Sequence, residues 1–88
     1  MIDNYMLYKN LPTLDLHGEN RYNALVLTDE FIKDNLKLGN KLIIIIHGIG
    51  QGLVKEIVHQ TLTMNKLVES YKIASTNIGC TIVTLKDK

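Results

Sequence analysis

Cysteine and proline are nearly absent from this 88-residue chain, which has one of each. The single cysteine, Cys80, cannot form a disulfide within the chain, and no Cys/His spacing resembles a zinc site. The only proline, Pro12, leaves no proline-rich linker to divide the sequence. We therefore expect one small domain with one core, in a reducing, cytoplasmic environment.

A strong excess of either charge is also missing. Ten Lys and Arg side chains against nine Asp and Glu leave a formal net charge of +1. A nucleic-acid partner would therefore be held by a local basic edge rather than by a global electrostatic field. The hydrophobic fraction of 45%, with 22% charged residues, is typical of a globular protein and not of a disordered one.

Long hydrophobic runs are absent. The longest aliphatic run, Leu42 to Ile46, is far too short to span a bilayer. The first ten residues, MIDNYMLYKN, carry Asp3 and lack the apolar segment of a signal peptide. We expect neither export nor membrane anchoring.

The spacing of the apolar residues predicts the order βαβαββ, with residues 1–11 as an appended segment and residues 12–88 as the domain. Alternation in TLDLHG predicts a strand, and the aliphatic stretch KLIIIIH predicts a central strand that is buried on both faces. Helical periodicity runs from Asn20 to a stop at Gly39, with Leu38 on the apolar face, and again from about Leu53 to Met64. The stretches ESYKIAS and CTIVTLK predict two final strands.

Right-handed crossovers make the first three strands parallel and place both helices on one face of the sheet. The result is an α/β two-layer sandwich with a four-stranded mixed sheet. The carboxyl ends of the parallel strands share one edge, where open α/β sheets bind ligands. That edge gathers His17 and Gly18, the loop from His47 to Gly52, and the turn from Thr76 to Gly79.

An acid–base pair is predicted at this edge. Asp15 and His17 are two residues apart on a strand, so their side chains leave the same face. The alternative is that they form the solvated half of an amphipathic strand. His47, at the matching end of the second parallel strand, favours a site because two histidines and a carboxylate then share one edge.

The loop HGIGQG brings three glycines, Gly48, Gly50 and Gly52, to the same edge. Glycine permits positive φ and lets a ligand approach the backbone amides, and the helix that follows adds unbonded N–H groups, so the loop fits a phosphate. It is not a Walker A loop, because Leu53 and Val54 replace the required Lys and Ser/Thr. The alternative is a tight turn that needs glycine for geometry alone.

Two cations lie in the first turns of the helices. Arg21 and Lys55 are placed to meet phosphates of a longer substrate, although either could merely be solvated. Among the tyrosines, Tyr22 is the one considered for base stacking. His59 lies in the middle of the second helix, away from the edge, and no role is assigned to it.

Three motifs together resemble the Smr, or small MutS-related, domain. They are LDLHG at 14–18, HGIGQGLVK at 47–55 and GCTIVTLK at 79–86, and the resemblance extends from Thr13 to Lys86. It implies a two-layer α/β fold similar to the carboxyl-terminal domain of bacterial initiation factor three, and nuclease activity. Some members of the family nick DNA, and others cleave RNA, including messenger RNA on stalled ribosomes.

By position, the Asp-x-His motif of the family falls on Asp15 and His17, and its common basic residue falls on Lys55. The glycine loop of the family falls on His47, Gly48, Gly50 and Gly52. The sequence departs from the pattern at Ile49, where many members have Lys or Arg, and at Asn77, Ile78 and Cys80. Weaker phosphate binding is one consequence that these departures imply.

The leading hypothesis is an endonuclease that cleaves phosphodiester bonds in RNA or nicks DNA, with RNA slightly favoured. His17 acts as general base or acid, Asp15 orients it or tunes its pKa, and His47 is the complementary acid or a phosphate ligand. The substrate-binding residues are Gly18, Arg21, Gly48, Gly50, Gly52 and Lys55. No cofactor is assigned, although a DNA substrate would favour a divalent metal at Asp15 and His17.

The alternative hypothesis is a non-catalytic module that binds a nucleic acid or the ribosome through the same edge. The low net charge favours it, because a ribosome could supply affinity that so neutral a domain lacks. The oligomeric state is left open, with a monomer slightly favoured.

The appended segment at residues 1–11, called the leader below, is expected to cover the face of the sheet that carries no helices. Its apolar residues include Tyr5, Met6, Leu7, Tyr8 and Leu11. A second copy of the chain is the alternative cover.

Overall fold

The computed structural model describes residues 10–50, 52–75 and 77–87. Most of the appended segment predicted at residues 1–11 therefore lies outside the described residues. The elements follow the predicted order: β1 (Thr13–Asp15), α1 (Arg21–Leu38), β2 (Leu42–Ile46), α2 (Leu53–Met64), β3 (Val68–Ile73) and β4 (Cys80–Leu85).

The four strands form one sheet in the order β1-β2-β4-β3. Strand β1 is parallel to β2, whereas β4 is antiparallel to both of its neighbours, β2 and β3. The first three strands thus run in the same direction, and the last strand is inserted between the second and the third. This is the predicted four-stranded mixed sheet with two helices, and the predicted fold class is confirmed.

The main core lies between the helices and one face of the sheet. Because successive strand residues point to opposite faces, Ile43 and Ile45 of β2 enter this core while Ile44 faces away from it. The buried members of the core are Leu16, Ala24, Ile32, Ile43, Ile45, Val58, Leu62, Val68, Val83 and Leu85. A smaller cluster on the opposite face consists of Ile44, Ala74, Cys80 and Ile82, with Leu11 and Ile46 packed against it.

Helix α1 shows how local sequence sets an element. Asn20 is its N-cap, and the Asn20 side-chain oxygen accepts a hydrogen bond from the Asn23 amide at 2.8 Å. The helix ends at Gly39, whose φ of 82° is the left-handed conformation that glycine adopts without strain. The predicted inward position of Leu38 is wrong, because this last helical residue is 75% exposed, whereas Leu36 packs against the core as the periodicity predicts.

Neither of the two helices in the described ranges combines the length and the apolar character that a membrane span requires.

Candidate functional site

The Asp15–His17 pair lies where β1 ends. His17 Nδ1 donates to Asp15 Oδ1 at 2.6 Å, and the backbone amide of His17 donates to the same oxygen at 3.1 Å. The two side chains therefore share one face of the strand, as their spacing predicts. Both are accessible, with 72% of the His17 side chain and 51% of the Asp15 side chain exposed.

This contact fixes where the imidazole of His17 carries its proton. An ionised carboxylate only accepts hydrogen bonds, so Nδ1 bears the hydrogen and the neutral ring presents a lone pair at Nε2. The hydrogen bond to Asp15 raises the pKa of His17, and the same bond lowers the pKa of Asp15. No residue in the described ranges hydrogen-bonds Nε2, which is therefore the atom able to exchange a proton with a ligand.

The glycine loop follows β2 and is tied to the end of β4. The backbone amides of His47 and Gly48 both donate to the carbonyl oxygen of Gly79, at 2.9 and 3.0 Å. Gly48 has a φ of 82°, and a Cβ added there would stand 3.6 Å from the Cβ of His17. The loop and the Asp-x-His motif are therefore direct neighbours.

Gly50 and Gly52 differ in why they are glycine. Gly52 has a φ of 81°, whereas Gly50 does not lie in the left-handed region and a Cβ added there would meet nothing within 4 Å. Backbone geometry requires glycine at Gly52 and not at Gly50. The missing side chain at Gly50 leaves the backbone open to an approaching ligand.

A cavity of about 610 Å³ joins these features. Its lining consists of His17, Gly18, Glu19, Ile46, His47, Gly48, Ile49, Gly50, Gly52, Leu53 and Val54. The N-cap residue of α2 is Gly52, which makes no side-chain capping bond, so the first amides of α2 meet this cavity without a side-chain acceptor. A helix N-terminus of this kind attracts anions, although the carboxylate of Glu19 opposes that at the rim.

Arg21 and Lys55 lie outside this cavity. Arg21 is the exposed first residue of α1, and Lys55 lines a neighbouring groove of about 540 Å³. The two cavities share Gly52. The structure thus gathers the predicted histidines and glycines at one edge and leaves the two cations at its periphery.

His47 is almost fully buried, with 4% of its surface exposed. Its Nδ1 donates to the carbonyl oxygen of Gly48 at 3.0 Å, and its Nε2 lies 2.8 Å from the hydroxyl oxygen of Thr81. Burial lowers the pKa of His47 and favours the neutral ring. Both nitrogens of the ring are therefore occupied inside the protein.

His59, to which the sequence assigned no role, lies close to His47. Its Nε2 is 2.8 Å from the same Thr81 oxygen, and the two imidazole centroids are 5.7 Å apart. Burial lowers its pKa as well. One sequence signal could have found this cluster: a threonine within the apolar strand CTIVTL is buried, and a buried hydroxyl requires a partner.

A metal site does not emerge from the described residues, among which no three His, Cys, Asp or Glu side chains are grouped to hold an ion. Asp15 and His17 offer two donor atoms that are already joined by a hydrogen bond.

Comparison with known proteins identifies the fold and the family. The model of the Smr domain family matches residues 14–86. The chain belongs to the Smr domain family. Among its relatives, the endonuclease MutS2 of Ligilactobacillus salivarius is 40% identical over 68 residues, which are 77% of this chain and 9% of that protein. The endonuclease MutS2 of Halothermothrix orenii is 37% identical over 76 residues, 86% of this chain and 10% of that protein. The chain therefore spans about a tenth of the curated relatives that it matches.

Two solved Smr structures share the architecture. The Smr domain of Thermus thermophilus MutS2 superposes with a TM-score of 0.84 at 28% identity, over 86% of this chain and 99% of that domain. YdaL of Escherichia coli, a stand-alone small MutS-related protein, gives 0.81 at 25% identity, over 85% of this chain and 64% of YdaL. The resemblance drawn from the three sequence motifs is confirmed.

Proposed function

We propose that this Smr domain binds the phosphate backbone of a nucleic acid at the edge formed by His17 and the glycine loop, and that it cleaves the phosphodiester bond there, preferring RNA to DNA. The observation that carries the proposal is the imidazole of His17, which is oriented by Asp15 and stands beside a glycine loop in one cavity. The name endonuclease, borne by the MutS2 relatives, supports it.

Binding would rest on backbone amides more than on side-chain charge. The open position at Gly50 and the first amides of α2 offer N–H groups to a phosphate oxygen. A nucleic-acid strand bound in the cavity would continue past it towards Arg21 and Lys55. Ile49 is exposed on the loop and supplies no charge, so we expect modest affinity with a shallow dependence on salt.

On RNA, the 2′-hydroxyl is the nucleophile. His17 Nε2 takes its proton as the 2′ oxygen bonds to phosphorus, and the bond from phosphorus to the 5′ oxygen breaks. Asp15 stabilises the imidazolium that forms, and the loop amides stabilise the charge that develops on the phosphate oxygens. The products are a 2′,3′-cyclic phosphate and a 5′-hydroxyl.

The proton for the departing 5′ oxygen would come from water. The sequence suggests His47 as the complementary acid or as a phosphate ligand, but both of its ring nitrogens are engaged by Gly48 and Thr81. We therefore assign His47 the task of holding the loop in shape.

DNA has no 2′-hydroxyl, so its cleavage needs an activated water as the nucleophile. A divalent metal is the usual means of activating that water. Asp15 and His17 alone do not complete a metal site.

The deciding experiment compares one RNA with the same strand that carries a single 2′-deoxy substitution at the mapped cleavage position, each with and without EDTA. We expect the RNA to be cut in EDTA to a cyclic phosphate and a 5′-hydroxyl, and the substituted strand to resist. Cleavage of both strands, abolished by EDTA, would instead indicate a metal-activated water.

A non-catalytic binding module is the second candidate. The net charge of +1 favours it, as does the engagement of both ring nitrogens of His47 in hydrogen bonds within the protein. Folded protein that binds RNA or DNA oligonucleotides, or ribosomes, and cuts none of the nucleic acids would establish this function in place of the first.

A further inference from the structure

The hydroxyl of Thr81 is shared by two imidazoles. Thr81 is fully buried in β4, and its oxygen lies 2.8 Å from Nε2 of both His47 and His59. His47 is at the end of β2 and His59 is in the middle of α2, so this one hydroxyl joins three elements of the fold.

The Gly48 carbonyl is the acceptor at one end of this series of hydrogen bonds, and it determines where the protons lie. The carbonyl oxygen of Gly48 can only accept, so His47 Nδ1 must carry a hydrogen. In the neutral ring Nε2 is then a bare acceptor. The hydroxyl of Thr81 must therefore donate to His47.

A hydroxyl has a single hydrogen to donate, which Thr81 has now given to His47. The contact with His59 is satisfied only if His59 Nε2 carries a hydrogen and donates it to the Thr81 oxygen. Nδ1 of His59 is then the unprotonated nitrogen. A single arrangement of protons satisfies all three hydrogen bonds when both rings are neutral.

The direction of these bonds links α2 to the glycine loop. His59 donates to Thr81, Thr81 donates to His47, and His47 donates to the carbonyl of Gly48, whose amide is held from the other side by Gly79. Removal of the first donor would leave the buried Thr81 oxygen without the hydrogen bond that ties it to α2, and would loosen its hold on His47.

We propose that His59 is a positioning residue of the glycine loop: through Thr81 it holds the imidazole of His47 in place, and the Nδ1–H of His47 in turn holds the Gly48 carbonyl. The proposal deepens the proposed function, because it concerns the loop to which we assign phosphate binding. His59 also lines the neighbouring groove with Lys55 and Tyr71, so the chain of hydrogen bonds runs from that groove to the loop.

The first test needs no nucleic acid. Two-bond proton–nitrogen NMR correlations on the full chain with ¹⁵N-labelled histidine, at pH 7.5, report which nitrogen of each ring is protonated. We expect hydrogen on Nδ1 of His47 and on Nε2 of His59. The opposite tautomer on either ring would overturn the proposal.

The second test uses matched variants. A glutamine amide can replace Nε2–H as a donor and a leucine cannot, so His59→Gln should keep the amide resonances of Gly48 and Gly50 while His59→Leu shifts them. Gln60→Leu, in the same groove, is the control for added apolar surface. Thr81→Ser and Thr81→Val form a second pair, in which the serine keeps the hydroxyl and the valine removes it.

The same variants are titrated with a short single-stranded RNA. We expect about fivefold weaker binding for His59→Leu and Thr81→Val, and wild-type binding for His59→Gln, Thr81→Ser and Gln60→Leu. Unchanged loop resonances in folded His59→Leu would overturn the proposal. If neither the wild type nor any variant binds RNA while the resonances change as expected, the positioning role stands and the proposed function fails.

Discussion

At the scale of single residues, the candidate site depends on one contact, the 2.6 Å hydrogen bond between His17 and Asp15. This contact could be predicted, because two side chains separated by two positions on a strand leave the same face. The hydrogen bonds of His47 could not be predicted, because its partners Gly48 and Thr81 depend on how the strand ends meet in space. The position of His47 at the end of the second parallel strand predicts that it lies at this edge, but does not predict that it is buried.

His17 is the first residue to test. We expect His17→Ala to reduce cleavage by about 10²- to 10⁴-fold, the usual contribution of a general base, and to leave the melting temperature unchanged because the side chain is exposed. Turnover and thermal melting of the purified variant check this. A folded variant with full activity would remove His17 from the mechanism.

The pH profile separates the two roles of the pair. His17 acts as a base only when it is neutral, so cleavage should increase as the pH rises through its pKa, which Asp15 raises. Asp15→Asn keeps a hydrogen-bond acceptor and removes the charge, and we expect it to move the midpoint of the profile to lower pH. Initial rates from pH 5 to 9 provide the measurement. An unshifted midpoint would show that Asp15 only orients the ring.

The buried histidines predict a loss of stability in weak acid. The pKa values of His47 and His59 are lowered by burial, so their neutral rings favour the folded state above the unfolded pKa of about 6.5, and this contribution is lost as the pH falls through their folded pKa values. Lys55, which also lowers both pKa values, acts in the same direction. The raised pKa of exposed His17 acts in the opposite direction.

Urea unfolding at pH 7.5 and pH 5 measures this effect. Each proton taken up on unfolding contributes at most about 1.4 kcal/mol per pH unit, so the wild type should lose stability in this interval. His59→Gln has one titrating ring fewer, so it should lose less stability than the wild type in this interval. His17 is present in both proteins and contributes equally to both losses. Equal losses in the two proteins would show that His59 does not titrate in this range.

At the scale of elements, both helices are placed from the sequence to within one residue. Asn20 caps α1 and Gly39 ends it, and α2 runs from Leu53 to Met64 as predicted. The prediction left open the position of β4 between β2 and β3, because periodicity reports which faces are buried and not which strands pair. One signal was present: CTIVTL is apolar on both faces, as a central strand is, whereas VESYKI alternates as an edge strand does.

The glycine loop offers a matched pair of substitutions. Gly48→Val places a side chain at a φ of 82° and should destabilise the fold by about 1–2 kcal/mol. Gly50→Val meets no steric obstacle and no positive φ, so it should melt like the wild type but bind RNA several-fold more weakly, because a side chain then stands where the phosphate approaches. Melting curves and salt-dependent titrations of both variants check this. Wild-type affinity in Gly50→Val would show that no ligand approaches the loop at that position.

At the scale of the whole molecule, the two faces of the sheet differ in what covers them. The helices cover one face. On the other, Ile44, Ala74, Cys80 and Ile82 are each at least nine-tenths buried, and Leu11, which precedes β1, packs against them. An apolar face of this kind needs a cover, which the leader is predicted to supply, with a second copy of the chain as the alternative.

Removal of residues 1–9 tests the cover. Loss of Tyr5, Met6, Leu7 and Tyr8 should expose the face around Ile44, and each kcal/mol lost should lower the melting temperature by about 4–8 °C in a domain of this size. Removal of residues 1–4 alone, which keeps that apolar cluster, is the matched control and should have a smaller effect. Melting curves and size-exclusion chromatography of the two truncated proteins provide the measurement. If the protein that lacks residues 1–9 is a monomer that melts like the wild type, the leader does not cover the sheet. If that protein is a stable dimer, a second copy of the chain can cover the sheet in place of the leader.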